Sequence, residues 1–158
     1  QIGYLKAHFK TYLPRSHGHE QFCEDLPEAS EAVFVMEYEH DSLADMLIEF
    51  RIIHERSGKR EFTREKDIEK IDDLESITVA YHPPRRELDV FSITHQFEEP
   101  GWYVGIITAR TLALDETYVA VFPFEVGFTG YRYWPLVAFA IALLGSALYY
   151  DSRRERSA

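Results

Sequence analysis

The chain is predicted to fold as an immunoglobulin-like antiparallel β-sandwich followed by a single C-terminal transmembrane helix. Three observations lead to this mostly β fold class. Period-two alternation of apolar and polar residues recurs between residues 32 and 126. Turn signals rich in Gly and Pro separate the alternating stretches. An uncharged apolar run, YWPLVAFAIALLGSALYY at residues 133–150, follows the last of them.

About six short strands separated by turns are typical of a two-layer antiparallel domain. In one of them, Ile48, Phe50 and Ile52 would share a buried face, while Glu49 and Arg51 would share the opposite, solvated face. The predicted strands are residues 32–39, 46–54, 76–81, 88–97, 102–109 and 117–126.

Prolines and one charged stretch refine this pattern. Pro83-Pro84 is expected to stop the strand at residues 76–81, and Pro123 is expected to place the last strand at a sheet edge. Residues 63–74 are rich in charge, so they form either a short surface helix or a long loop. Their apolar residues recur at helical spacing: Ile68, Ile71 and Leu74.

The predicted organisation has four parts. An irregular N-terminal segment without periodic pattern covers residues 1–30, and the sandwich domain covers residues 31–128. The transmembrane helix covers residues 131–151, and a short tail covers residues 152–158.

The apolar run fits a bilayer in length and in its ends. Its 18 residues reach about 27 Å as a helix, against roughly 30 Å of hydrocarbon. The small residues Gly145, Ser146 and Ala147 would let a partner helix approach closely. A helix buried in a soluble core, a re-entrant helix and an oligomer-buried helix are the other interpretations. The rings expected at headgroup depth are Tyr133, Trp134, Tyr149 and Tyr150.

The cations around the run predict its orientation. Arg153, Arg154 and Arg156 follow it closely, whereas Arg132 is the only cation between Arg110 and its start. Cytoplasmic flanks carry the excess of Lys and Arg, so the tail is expected in the cytoplasm and the sandwich in the periplasm of a bacterial inner membrane. An exported domain needs a targeting segment, so we infer a removed signal peptide or a trimmed chain.

The charge is strongly asymmetric. Residues 1–130 carry 13 Lys/Arg and 25 Asp/Glu, a net charge of −12, whereas the remaining 28 residues carry 4 and 2, a net charge of +2. Such an acidic domain is not expected to bind nucleic acid, because phosphate contacts need a basic face. Anionic headgroups would repel it as well. The acidity fits either an ordinary solvated surface or docking to a basic partner.

Two runs resemble a known domain. FEEPGWYVG at residues 97–105 and YVAVFPFEVG at residues 118–127 resemble the closing hairpin of small periplasmic FixH-like and YtkA-like domains. This resemblance implies a β-sandwich in a bacterial membrane protein, linked with copper handling or with assembly of haem–copper oxidases. FixH-like proteins carry their membrane helix before the domain, whereas here it follows.

The order of domain and helix is similar to that of copper-linked accessory proteins of methane and ammonia monooxygenase operons. That resemblance implies a periplasmic β domain with a C-terminal helix. The Cys/Met metal motif of those proteins is not evident, because only Cys23, Met36 and Met46 are available. No functional residue is therefore transferred from either family.

His17, His19 and Cys23 form the densest group of metal-capable side chains, in the run SHGHEQFC at residues 16–23. Imidazole and thiolate bind copper and zinc, so these three residues are candidate copper ligands. The other interpretation is a flexible polar loop that holds three unrelated residues. Cys23 is the single cysteine, so it forms no internal disulfide but could bridge two chains.

No phosphate-binding glycine loop, HExxH helix or GxSxG turn occurs, and the chain is not expected to be an enzyme. The sequence predicts a non-catalytic, membrane-anchored periplasmic accessory subunit of a respiratory or monooxygenase-type membrane complex. Its partners would be integral membrane subunits and the lipid bilayer. Two alternatives stay open: a membrane-tethered copper-binding or copper-delivery protein, and a homo-oligomer bridged through Cys23.

Overall fold

The computed structural model describes residues 7–23, 25–39, 41–87, 90–111, 116–127 and 135–143. The chain divides into two compact units, Gln1–Phe128 and Thr129–Ala158, which are described separately. The described part of the first unit consists mainly of β-strands. In the second unit, residues 135–143 are helical.

The strands of the first unit are β1 Ala7–Tyr12, β2 Gln21–Phe22, β3 Glu31–Tyr38, β4 Met46–His54, β5 Thr78–Arg85, β6 Val90–Gln96, β7 Gly101–Thr111 and β8 Thr117–Val126. One short helix, α1 Glu65–Ile68, lies between β4 and β5. Single 3-10 turns occur at Asp41–Asp45, Arg60–Phe62 and Glu75–Ile77.

The strands form two antiparallel sheets, with strand orders β2-β1-β3-β6 and β5-β4-β7-β8. This confirms the predicted mostly β, sandwich-like fold. β8 is an edge strand, as Pro123 indicated, and β4 and β8 have the predicted bounds. The immunoglobulin-like subtype stays a prediction, and most of the predicted transmembrane helix lies outside the described residues.

Aromatic rings from both sheets meet in the core. The ring of Phe34 on β3 lies 5.8 Å from that of Phe50 on β4 and 5.8 Å from that of Phe124 on β8. Ile48, Phe50 and Ile52 are all 0% exposed, which confirms the buried face predicted for β4. Each aromatic pair adds roughly 0.5–1.5 kcal/mol beyond the burial of its area, so this layer fastens the two sheets together.

The N-terminal region is more regular than the sequence indicated. No strand was predicted before residue 32, whereas β1 pairs with β3 from Ala7↔Tyr38 to Tyr12↔Val33. Two residues outside the strands also belong to the core, since Leu13 after β1 and Leu26 after β2 are fully buried. Only one inward-facing residue of β1 is large and apolar, so the alternation of apolar and polar residues is weak in this part of the sequence. Its inward residues are Ala7, Phe9 and Thr11.

β5 continues through the two prolines that were expected to stop it. His82 pairs with Phe50 and Arg85 pairs with Ile48, so both prolines lie at a register shift, opposite a single residue of β4. β5 is also an edge strand. A bulge on an edge strand tolerates proline, because the missing N–H removes no necessary ladder bond.

The charged stretch at residues 63–74 contains only the single turn α1, followed by loop. Ile68 at the end of α1 packs against Ile53 of β4 and Val104 of β7, in a cluster separate from the main core. α1 therefore covers part of the outer face of the β5-β4-β7-β8 sheet.

A substitution at Gly105 tests how closely β7 packs against the side chains of β8. It pairs with Phe122, and a Cβ added at Gly105 would lie 2.1 Å from Cζ of that ring. Gly105→Ala is therefore expected to lower the free energy of unfolding by about 1–3 kcal/mol. Chemical denaturation of the full chain measures this loss.

The matched background for this test is Phe122→Leu, whose smaller side chain leaves room for the added methyl group. The loss caused by Gly105→Ala should be smaller in that background than in the unsubstituted chain. Equal losses in both backgrounds would show that the ring of Phe122 is not what requires glycine.

Candidate functional site

Two of the predicted metal ligands, His17 and His19, lie in the loop of the hairpin formed by β1 and β2, and Cys23 directly follows β2. The hairpin closes at the pair Tyr12↔Gln21. Its turn is held by the backbone N–H of His17, which donates to the carbonyl oxygen of Leu13 at 2.9 Å. Gly18 has a φ of 57°, which glycine adopts without steric penalty. The segment thus has a specific backbone structure.

The three candidate ligands have different surroundings. The His17 ring lies edge-on to Phe22 at 5.3 Å, and its Nδ1 is 3.0 Å from Oγ of Ser16. His19 and Cys23 are exposed. Among the described residues, no group of three or more His, Cys, Asp or Glu side chains is placed to hold a metal ion. The site formed by His17, His19 and Cys23 stays a prediction.

Cys23 is a free, exposed thiol. It borders a cavity of about 440 Å³ that is lined mainly by aromatic rings, together with the carboxyl groups of Asp25 and Glu61. Asp25 is fixed in place because its Oδ1 accepts a hydrogen bond from the backbone N–H of Glu125 at 2.7 Å. The exposure is what a disulfide between two chains would require, and that bridge stays a prediction.

Two further histidines line another cavity of about 380 Å³, with Glu98 and Glu99 at its margin. The ring of His54 lies 4.9 Å from that of Tyr103, and the ring of His95 lies 4.7 Å from that of Phe97. The hydroxyl of Tyr103 donates to the backbone carbonyl of Glu99 at 2.8 Å.

His54 and His95 lie far apart in the sequence, and no motif links them. The sandwich brings them together because β4 and β6, which carry them, belong to different sheets that meet at this end. Burial lowers the pKa of His95, and the nearby carboxylate of Glu98 opposes part of that effect. The pKa of Tyr103 is raised, mainly by burial. Only the pairing of the two sheets could have revealed this grouping.

The helical residues 135–143 of the second unit are exposed and largely apolar. Leu136, Phe139 and Ile141 are 65%, 64% and 63% exposed. A helix that is apolar on all sides is normally covered by lipid or protein. No helix within the described ranges is long and apolar enough to cross a membrane. The other predicted interface and packing residues lie outside the described ranges: Tyr133, Trp134, Gly145, Ser146, Ala147, Tyr149 and Tyr150.

Comparison with known proteins bears on the fold. No protein-family model and no curated protein matches the chain. The crystal structure of the PmoD soluble domain from Methylocystis sp. ATCC 49242 (Rockwell) is similar, with a TM-score of 0.66 and 24% sequence identity. The match covers 80% of this chain and 95% of that one. At the level of the fold it supports the resemblance to accessory proteins of monooxygenase operons, while the FixH-like and YtkA-like resemblance stays a prediction.

The half-buried imidazole of His95 predicts sensitivity to acid. Because burial lowers its pKa from the ordinary 6.5, the folded chain favours the neutral ring. The stability that this preference contributes is complete above the ordinary pKa and is lost as pH falls through the lowered one. Between pH 7 and about pH 5, the melting temperature of the unsubstituted chain should fall more steeply than that of His95→Gln.

Calorimetric melts of the full chain across that pH range provide the measurement. The exposed His19 supplies a control, because His19→Gln should retain the acid sensitivity of the unsubstituted chain. If His95→Gln follows the same pH dependence as the unsubstituted chain, the half-buried ring does not contribute to acid sensitivity.

Proposed function

We propose that the chain is a non-catalytic, membrane-anchored periplasmic accessory subunit of a bacterial membrane protein complex. The exposed apolar helix at residues 135–143 is the observation that carries this proposal. Lipid or partner helices would cover such a surface. In the sequence only six residues lie between Val126, where β8 ends, and the uncharged run at residues 133–150, so the anchor would keep the sandwich near the membrane.

The sequence around the helix supports an anchor. The uncharged run extends from residue 133 to residue 150, and three arginines follow it. This arrangement favours a single span with its C-terminus in the cytoplasm and the sandwich in the periplasm. The small face at Gly145, Ser146 and Ala147 would then contact partner helices, and the aromatic residues at both ends would lie at headgroup depth.

The fold likeness to the PmoD soluble domain supports a particular kind of complex. Together with the resemblance to accessory proteins of monooxygenase operons, it favours a monooxygenase-type complex over a respiratory one. The sandwich would cover or brace the periplasmic surface of the larger subunits.

A membrane-tethered copper-binding or copper-delivery protein is the second candidate function. The exposure of His19 in the β1–β2 hairpin and of Cys23 directly after it favours this function, because a copper ion could reach both side chains without rearrangement of the core. His17 would supply the third ligand after a rotation of its ring away from Phe22.

Purification from native membranes in mild detergent tests the accessory role. The full chain should co-purify with larger membrane subunits in constant stoichiometry, as measured by mass spectrometry. Phe139→Lys should release the chain from the membrane fraction, because a lysine within a spanning helix costs about 2.5–3.5 kcal/mol at its centre.

Phe62→Lys is the matched control, since Phe62 is 67% exposed and Phe139 is 64% exposed. This control should remain in the membrane fraction with its partners. Retention of Phe139→Lys in the membrane, or a monodisperse chain free of partners, would contradict the proposal.

Metal analysis of the same preparation separates the second function from the first. About one copper per chain, lost in His17→Ala/His19→Ala, would make copper delivery the leading function. Copper retained in that double variant would remove the proposed ligand site.

A further inference from the structure

On the outer face of the β5-β4-β7-β8 sheet, α1 packs over one cross-strand row. That row consists of Ile53 on β4, Val104 on β7 and Pro123 on β8, which are paired in register. Ile68 of α1 packs on Ile53 and Val104. Ile106 and Val121 of the next row pack against the edge of this cluster and are half-buried, so the rows beyond the first are only partly covered.

The next two rows form the floor of a groove. One row joins Arg51 to Ile106 and Val121, and its neighbour joins Glu49 to Thr108 and Val119. Ile68 and Leu74, from α1 and the loop after it, form one wall. The groove encloses about 550 Å³, which lies within the range of cavities that hold small ligands or a few side chains.

The apolar part of the floor consists of Ile106, Val119 and Val121, and six carboxylates of described residues line the groove around it. Of the described residues that line the groove, only Arg51 is cationic. Its guanidinium donates to Oγ1 of Thr78 at 2.8 Å and lies 4.3 Å from the Tyr81 ring, so β5 already engages it. None of the lining carboxylates forms an ion pair with a described cation. These carboxylates are Glu49, Glu65, Glu69, Asp72, Asp73 and Glu75.

The apolar residues on the floor and the carboxylates at the margin together indicate which kind of molecule the groove would bind. Apolar side chains of a partner would be removed from water when they pack on the floor of the groove. Lys or Arg residues next to them would form ion pairs with the carboxylates. Nucleic acid and anionic lipid would be repelled. A second copy would be repelled as well, because residues 1–130 carry a net charge of −12. The described acidic residues are not placed to hold a metal ion.

We propose that this groove binds a cationic segment of a partner protein that carries apolar side chains between its lysines or arginines. The occupant is thus a polypeptide with both cationic and apolar side chains. It is held by burial of the apolar side chains and by ion pairs at the margin. This goes beyond the accessory role, because it identifies the face of the sandwich that docks and does not depend on the anchor.

The test uses a labelled peptide, acetyl-Lys-Leu-Lys-Leu-Lys-amide, and the full chain in neutral detergent. Fluorescence anisotropy should show saturable binding that weakens as salt screens the ion pairs. Glu69→Gln/Asp72→Asn should weaken binding about three- to tenfold. Both side chains are exposed and make no described hydrogen bond, so the melting temperature should stay unchanged.

The matched control is Glu98→Gln/Glu99→Gln, which removes the same charge from a pair that lines a different cavity. This control should bind the peptide as tightly as the unsubstituted chain does. Equal weakening in both double variants would overturn the proposal, because net charge would then explain the binding.

A second peptide tests the apolar floor. Acetyl-Lys-Gly-Lys-Gly-Lys-amide should bind at least about tenfold more weakly, because it has no side chains to bury. Equal affinity for the two peptides would overturn the proposal. Absence of peptide binding, accompanied by self-association that Glu69→Gln/Asp72→Asn abolishes, would identify a second copy as the occupant and would also overturn it.

Discussion

The aromatic layer between the sheets is the interaction on which the remaining structure depends. The Phe34 ring lies 5.8 Å from that of Phe50, and the Phe9 ring lies 4.4 Å from that of Phe122. These contacts join β3 to β4 and β1 to β8, across the two sheets. Side chains alternate between faces, so a slip of one residue in β4 would bring Arg51 into the core in place of Phe50. The core therefore determines which side chains the outer face presents.

The groove on the outer face of the β5-β4-β7-β8 sheet depends on the register that this inner layer fixes. With the β4 register fixed, Arg51 lies outward and pairs with Ile106, while α1 covers the neighbouring row through Ile68. A groove with an apolar floor and an acidic margin results. The second unit adds the exposed apolar helix at residues 135–143. Both are surfaces that a partner could cover, and this supports a docking role for the chain.

Sequence reasoning was accurate where large apolar side chains alternate strictly, and it failed where they do not. β4 and β8 have the predicted bounds because their inward residues are large or regularly spaced. β1 was missed because Ala7 and Thr11 are small or polar, and the end of β5 was misplaced because its prolines lie at a bulge. The metal-capable side chains near His17 could be recognised in the sequence because they lie close together in the chain. The acidic groove could not be recognised, because it depends on pairing between strands that are distant in sequence.

Zero-length cross-linking can show whether the chain docks to a partner through the outer face of the β5-β4-β7-β8 sheet. A carbodiimide joins a carboxylate to a lysine that is in direct contact with it. The reagent is applied to native membranes that contain the full chain. We expect cross-links from Glu65, Glu69 or Asp72 to lysines of a larger membrane subunit. Cross-links confined to Glu31 and Glu37 on β3 of the opposite sheet would contradict this expectation, as would the absence of any cross-linked partner.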